Sequence, residues 1–193
     1  RAGVRLDGNW GYIDGSGEEV ISPQYDEAGK FDKGLASVSI NGRWGLIDKN
    51  GELKCKIIYD SIFNNEGMSL IRVDLDGMTG YINRAGKVVI PIMYEEVINY
   101  NDEAVVVRAG KKWGAYDSTG KMAVPVNYEG IDNLNVYHDD KKGITTIYVN
   151  ATLKKKPVFF SVQAKSQRTV KGEYTYGKWS KPKTKAKVKS NRK

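Results

Sequence analysis

Cysteine and histidine are almost absent from this chain: Cys55 and His138 stand alone among 193 residues. A single thiol excludes an intramolecular disulfide and any zinc site built on clustered cysteines. A single imidazole argues against a histidine-based metal centre. No apolar run reaches the length of a membrane-spanning helix, and no GxxxxGK[ST] phosphate loop occurs. No secretory signal opens the chain, and the start at Arg1 reads as processed or trimmed. Proline is scarce, five in all, yet three of the five recur at one place in a repeating pattern.

The formal charge of +8 conceals a division. Residues 1–133 carry 15 Lys/Arg against 20 Asp/Glu, whereas residues 134–193 carry 16 against 3. Two compositions point to two modules joined near Asn133–Gly143. Their opposite charges favour mutual attraction or association between copies, weakened by salt.

The first module repeats itself. Trp10, Trp44, Thr79 and Trp113 stand 34, 35 and 34 residues apart, and each is followed by glycine. Gly17, Gly51, Gly86 and Gly120 keep the same spacings, as do Tyr25, Tyr59, Tyr94 and Tyr128. Such self-similarity marks a repeat architecture. Asp7-Gly8, Asn41-Gly42 and Asp76-Gly77 suit tight hairpin turns with positive φ. The strand "LASVSI" before one turn alternates Ala36, Val38 and Ile40 with serines, and "RWGLID" after it returns. The next segment, as in Asp48-Lys49-Asn50-Gly51, predicts a turn capped by an Asx side chain and closed by a left-handed glycine. A third strand follows, with Pro23, Pro91 and Pro125 marking an edge or bend. Each unit is therefore a three-stranded meander that must stack on neighbours to cover its apolar face. The tryptophan buries a large surface, and its glycine lets a backbone or ring approach closely.

The motifs WGYIDGSG, WGLIDKNG, TGYINRAG and WGAYDSTG, over residues 3–133, resemble the bacterial WG (Trp-Gly) β-repeat family. The resemblance implies a bacterial multi-repeat protein without a catalytic centre, whose copies serve interaction. Thr79 departs from the pattern, which counts against any role needing an unbroken row of indoles.

Beyond residue 143 the period is lost. "GITTIYVNATL", "VFFSVQAKS" and "YGKWSKPKTKAKVK" read as three strands. VFFSVQA and YGKWSKP resemble the last strands of bacterial fibronectin type III domains, with Leu153 in the preceding turn and Trp179 and Ser180 opening the final strand. Val158 and Phe159 stand where the tyrosine corner is expected, and three strands fall short of a seven-stranded sandwich. Either a segment is missing near the 134–142 junction, or residues 143–193 form a β module capping the array.

Candidate chemistry is sparse. Cys55 with His138 could be drawn as nucleophile and base, but Cys55 aligns with strand residues near Ile21 and Ile90, the pattern of a buried thiol. The carboxylate pairs Glu18/Glu19, Asp26/Glu27 and Glu95/Glu96 suggest acid/base work, yet neighbours on a strand face opposite ways. "DLDG" at 74–77 has the start of a calcium loop without its distal Glu and aligns with the hairpin turns. Trp10, Trp44 and Trp113 could stack on a ligand, with Tyr25, Tyr59, Tyr94 and Tyr128 lining a groove; repetition in register is what core residues do, and the structural reading is favoured for both columns. Lys181, Lys183, Lys185, Lys187 and Lys189 could hold an acidic cell-wall polymer or protect a sheet edge from aggregation. Nucleic acid is not the expected partner, since no such motif is present.

The expectation is an all-β chain of four stacked three-stranded units followed by a small β module, without cofactor, metal or enzymatic activity. Its expected role is bacterial, secreted or at the cell surface: binding a protein partner or self-association through the repeats. Binding of carbohydrate or cell-wall polymer through aromatics and the basic module is the alternative.

Overall fold

The computed structural model describes residues 1–64, 69–100, 104–139, 144–168, 174–176 and 183–184. All regular structure among them is β-strand. The first repeat forms β1 (Ala2–Leu6), β2 (Asn9–Ile13) and β3 (Glu19–Tyr25). The second forms β4 (Glu27–Ala28), β5 (Leu35–Ile40), β6 (Arg43–Asp48) and β7 (Leu53–Tyr59). The third forms β8 (Ser61–Phe63), β9 (Leu70–Leu75), β10 (Met78–Asn83) and β11 (Val88–Tyr94), and the fourth β12 (Glu96–Tyr100), β13 (Ala104–Ala109), β14 (Lys112–Asp117) and β15 (Met122–Tyr128). A final sheet contains β16 (Gly130–Asp139), β17 (Ile144–Leu153), β18 (Lys156–Arg168), β19 (Tyr174–Tyr176) and β20 (Lys183–Thr184). Each repeat is an antiparallel meander whose strands lie in chain order. The three expected strands are present; the second, third and fourth repeats add a fourth, contributed by the chain as it leaves the preceding sheet. Thus β3 and β4 are separated only by Asp26 but belong to different sheets.

The Trp and Tyr columns, 15 residues apart, are one rung of the ladder. Trp10 lies opposite Tyr25, Trp44 opposite Tyr59, Thr79 opposite Tyr94 and Trp113 opposite Tyr128. The next rung pairs Tyr12 with Ile21, so Gly11 alone faces Ser22, Pro23 and Gln24. Gly80 faces Pro91, Ile92 and Met93, and Gly114 faces Pro125, Val126 and Asn127, in the same way. The third strand bulges across the glycine. A Cβ at Gly80 would stand 2.7 Å from the Ile90 carbonyl oxygen and from the Ile92 Cα; one at Gly114 would stand 2.7 Å from the Val124 carbonyl oxygen. At Gly11 it would collide with the Ile21 carbonyl. The close approach expected beside the tryptophan is thus that of backbone. All three recurrent prolines sit in this bulge, where no ladder hydrogen bond needs their missing N–H.

The closing turns follow the Asx pattern. Asp48 Oδ1 accepts from the Asn50 and Glu52 amides at 2.9 and 3.1 Å, and Asn83 and Asp117 repeat the arrangement. Gly86, at φ 78°, has a second constraint, because a Cβ there would run into the Lys54 carbonyl of β7.

The chain divides into two units, Arg1–Glu96 and Val97–Lys193. In the first, Tyr12, Ile21 and Tyr25 share a core with Ala36, Val38 and Ile47 of the second repeat. Leu46, Cys55 and Tyr59 in turn share one with Ile71, Val73 and Ile82 of the third. In the second unit, Val106, Ala115 and Val124 pack with Leu134, Ile147, Val149 and Val162. The C-terminal sheet therefore covers the fourth repeat, the capping arrangement.

Two expectations are corrected here. Residues 134–139, expected as a junction, continue β16, which pairs with β17 from Gly130↔Thr152 to Asp139↔Ile144. The C-terminal module begins at Gly130, within the stretch assigned to the array. Its described strands form a meander on the fourth repeat rather than the end of a fibronectin-type sandwich.

The close approach gives a direct expectation. Gly80→Ala should lower the urea-unfolding free energy by about 1–3 kcal/mol, the cost of overpacking. Gly15→Ala, with nothing near its Cβ position, should change it by less than about 0.5 kcal/mol.

Candidate interaction surface

Three carboxylates next to the marker tyrosines, Asp26, Asp60 and Glu129, join one sheet to the next. Asp26 Oδ2 accepts from the Asn41 amide at 2.6 Å, while the Asp26 amide donates to the Ser39 carbonyl at 2.9 Å. Asp60 treats Asp76 and Asp74 identically, at 2.6 and 2.9 Å. The amides held are those of positive-φ turn residues, φ 52° at both Asn41 and Asp76. Glu129 repeats the clasp on the C-terminal sheet: its Oε2 accepts from Lys155, at φ 59°, at 2.8 Å, and its amide donates to Thr152 at 2.7 Å. Asp26, considered above as half of an acid/base pair, is a fastener. Its signal was in the sequence, as an acidic residue after every marker tyrosine.

Cys55 and the aspartates of "DLDG" are structural too. Cys55 is buried among Leu46, Tyr59 and Ile71, and burial pushes its thiol up to about 11. His138 lies on β16, and its side chain is outside the described residues. In "DLDG", Asp76 and Gly77 form the hairpin turn. Asp74 accepts from Thr79 and Ser61 hydroxyls at 2.7 Å and from Arg72 at 3.0 Å. Burial alone would raise the Asp74 pKa, but these donors outweigh it and hold it low. No group of three or more metal-ligating residues occurs among the described residues.

Tyr25, Tyr59, Tyr94 and Tyr128 are buried, at 5, 5, 3 and 8% exposure. Their candidate groove role, the less favoured reading, is therefore corrected: a ring with so little surface cannot offer a face to a ligand. Burial raises the pKa of Tyr25, Tyr59 and Tyr128. Trp10, Trp44 and Trp113 are half-buried. Arg5 lies over Trp10 at 6.0 Å and Arg108 over Trp113 at 5.7 Å. Thr79 replaces indole packing with its hydrogen bond to Asp74, the residue directly opposite. Lys181, Lys185, Lys187 and Lys189 lie outside the described residues; Lys183 begins β20, paired with Ser161 of β18.

Open clefts occur among the described residues. One, of 570 Å³, is lined by Arg108, Lys111, Lys112, Trp113 and Glu129. Another, of 340 Å³, follows β7 past Leu53, Lys54, Ile58 and Gly86. The family model described as "WG containing repeat" matches residues 10–44, 44–77, 80–113 and 113–135. The chain belongs to this family. No curated protein matches it. The last WG match ends inside β16, so family pattern and strand pairing agree that the fourth repeat runs into the C-terminal sheet.

Two measurements check the structural roles. Hydrogen-bond donation from Ser16 lowers the Asp14 pKa, and donation from Lys54 lowers that of Asp48. Together with Asp74, these carboxylates favour folding above the ordinary aspartate value of 3.8, and the benefit is lost as pH falls through their lower folded values. The urea midpoint should fall over that acid range, less steeply in Asp48→Asn. Cys55 should react with an aromatic disulfide at about pH 8 at least tenfold more slowly in the native chain than in urea.

Proposed function

We propose that this WG-repeat protein is a non-enzymatic interaction and scaffold protein of a bacterium, secreted or at the cell surface. It binds a protein partner, its own copies included, through the repeat array. The observation that carries this reading is the placement of exposed apolar residues on third strands, each an edge of its own sheet. Leu53 and Ile58 on β7 are 56 and 44% exposed, and Val88 and Met93 on β11 are 42 and 54% exposed. The equivalent residues of β3 are Glu19 and Gln24. Because the bulge interrupts these edges, a partner reads side chains rather than adding a strand. A role without catalysis is supported by Cys55 being spent on the core and Asp26 and Asp60 on the clasps.

A second reading, binding of an acidic polymer, draws on the cleft at Trp113, where Arg108, Lys111 and Lys112 outnumber Glu129. Such binding would weaken steeply with salt.

Light scattering across a concentration series tests the first reading. The chain should associate, and Ile58→Lys with Met93→Lys should leave it monomeric with an unchanged melting curve. A monomer at every concentration would remove self-assembly, and binding of a protein partner that is indifferent to both substitutions would remove this surface.

A further inference from the structure

The outward face of the C-terminal sheet carries a feature that neither the family pattern nor the clefts account for. Tyr137, Tyr148 and Phe159 are 60, 51 and 43% exposed, on three neighbouring strands. Tyr137 lies opposite Thr146, two residues from Tyr148, and Phe159 lies opposite Asn150, two residues beyond it. The three rings therefore form a diagonal across β16, β17 and β18, at neighbour spacings of about 7–8 Å. The inward residues on the same strands, Leu134, Ile147, Val149 and Val162, are the core over the fourth repeat, so the rings are not needed for that contact.

Between the rings the face is amide and hydroxyl. Asn135 and Ser161 flank Tyr148 on either side, and Gln163 Nε2 donates to Thr146 Oγ1 at 3.1 Å. From Asn135 to Tyr137, Thr146 to Thr152 and Pro157 to Gln163, the outward positions of β16, β17 and β18 hold no charged residue, and charge stands only at the margin, at Lys183 opposite Ser161 and at Asp139 and Lys165 one step beyond. The same outward positions hold no Leu, Ile or Val either. An acidic ligand would call for cations between the rings rather than at the margin, and the core of a protein interface would surround its aromatics with apolar neighbours. Separated flat rings with neutral hydrogen-bonding groups between them match a sugar chain, whose C–H faces stack on aromatics and whose hydroxyls pair with amides.

We infer that this face binds a neutral polysaccharide, with Tyr137, Tyr148 and Phe159 as successive stacking platforms. It is a site separate from the repeat edges and independent of their proposed role.

Native affinity electrophoresis of the full chain in gels containing soluble β-glucan, xylan or starch tests the inference, with polygalacturonate as the acidic control. Retardation by at least one neutral polymer is expected. Tyr148→Ala should weaken it about tenfold, and the triple alanine variant should abolish it. Tyr148→Phe, which keeps the ring, should retain binding within about threefold and guards against loss through misfolding. Failure of all three neutral polymers to retard the chain overturns the inference, as does retardation that survives the triple variant. Retardation confined to polygalacturonate and removed by salt would do the same. Dimerisation that depends on the three rings would make the face a contact between copies instead.

Discussion

The close passage of a bulged strand over a glycine is the constraint on which each repeat depends. At Gly11, Gly80 and Gly114 a single residue of one strand faces three of the next, and the backbones meet where a side chain would stand. Tryptophan supplies apolar area beside this crossing, but it is the replaceable half of the pair. The third repeat keeps its bulge with Thr79 in place of the indole, stabilised by a hydrogen bond to Asp74. Proline fits for the same reason: the bulge releases its residues from the ladder.

Joining repeats uses a different device. At Asp26, Asp60 and Glu129 an acidic side chain at the end of one sheet holds the turn of the next by its exposed amide. At the last of these the turn is Lys154-Lys155 rather than Asn-Gly or Asp-Gly, and Glu129 has one methylene more with which to reach it. The C-terminal sheet therefore docks as another repeat would, without a Trp-Gly pair of its own. The array ends by keeping the fastener and dropping the signature.

The repeat was legible because three residue columns stayed in step, and the hairpin and Asx turns followed from their dipeptides. Less visible was β16. Ile131 and Leu134 are three residues apart, a spacing that breaks strand alternation; the register shift between Ile131 and Asn133 restores them to one face. A bulge cannot be seen in a period-two pattern, so the segment read as a junction. The tyrosines illustrate a different limit. Regular spacing established that they recur, but only the ladder revealed that each lies opposite a half-buried tryptophan, or Thr79 in the third repeat, and is itself buried there. Tyr137, Tyr148 and Phe159 were invisible as a group, since cross-strand diagonals have no counterpart in linear spacing.

Because β3 passes into β4 with only Asp26 between them, successive sheets have no slack at their splice. A residue inserted there would turn every following side chain of the short strand to the opposite face and pull the carboxylate off its amide. Growth or shrinkage of the chain is confined to places outside both the splice and the glycine crossing. The chain's own irregularity obeys this: the extra residue in its 35-residue spacing falls after Phe63 and before Leu70, beyond the paired stretch of β8. Variation in length among such arrays is thereby channelled into the connection between the added strand and the meander that follows it, as between β8 and β9, while the joints stay fixed in size.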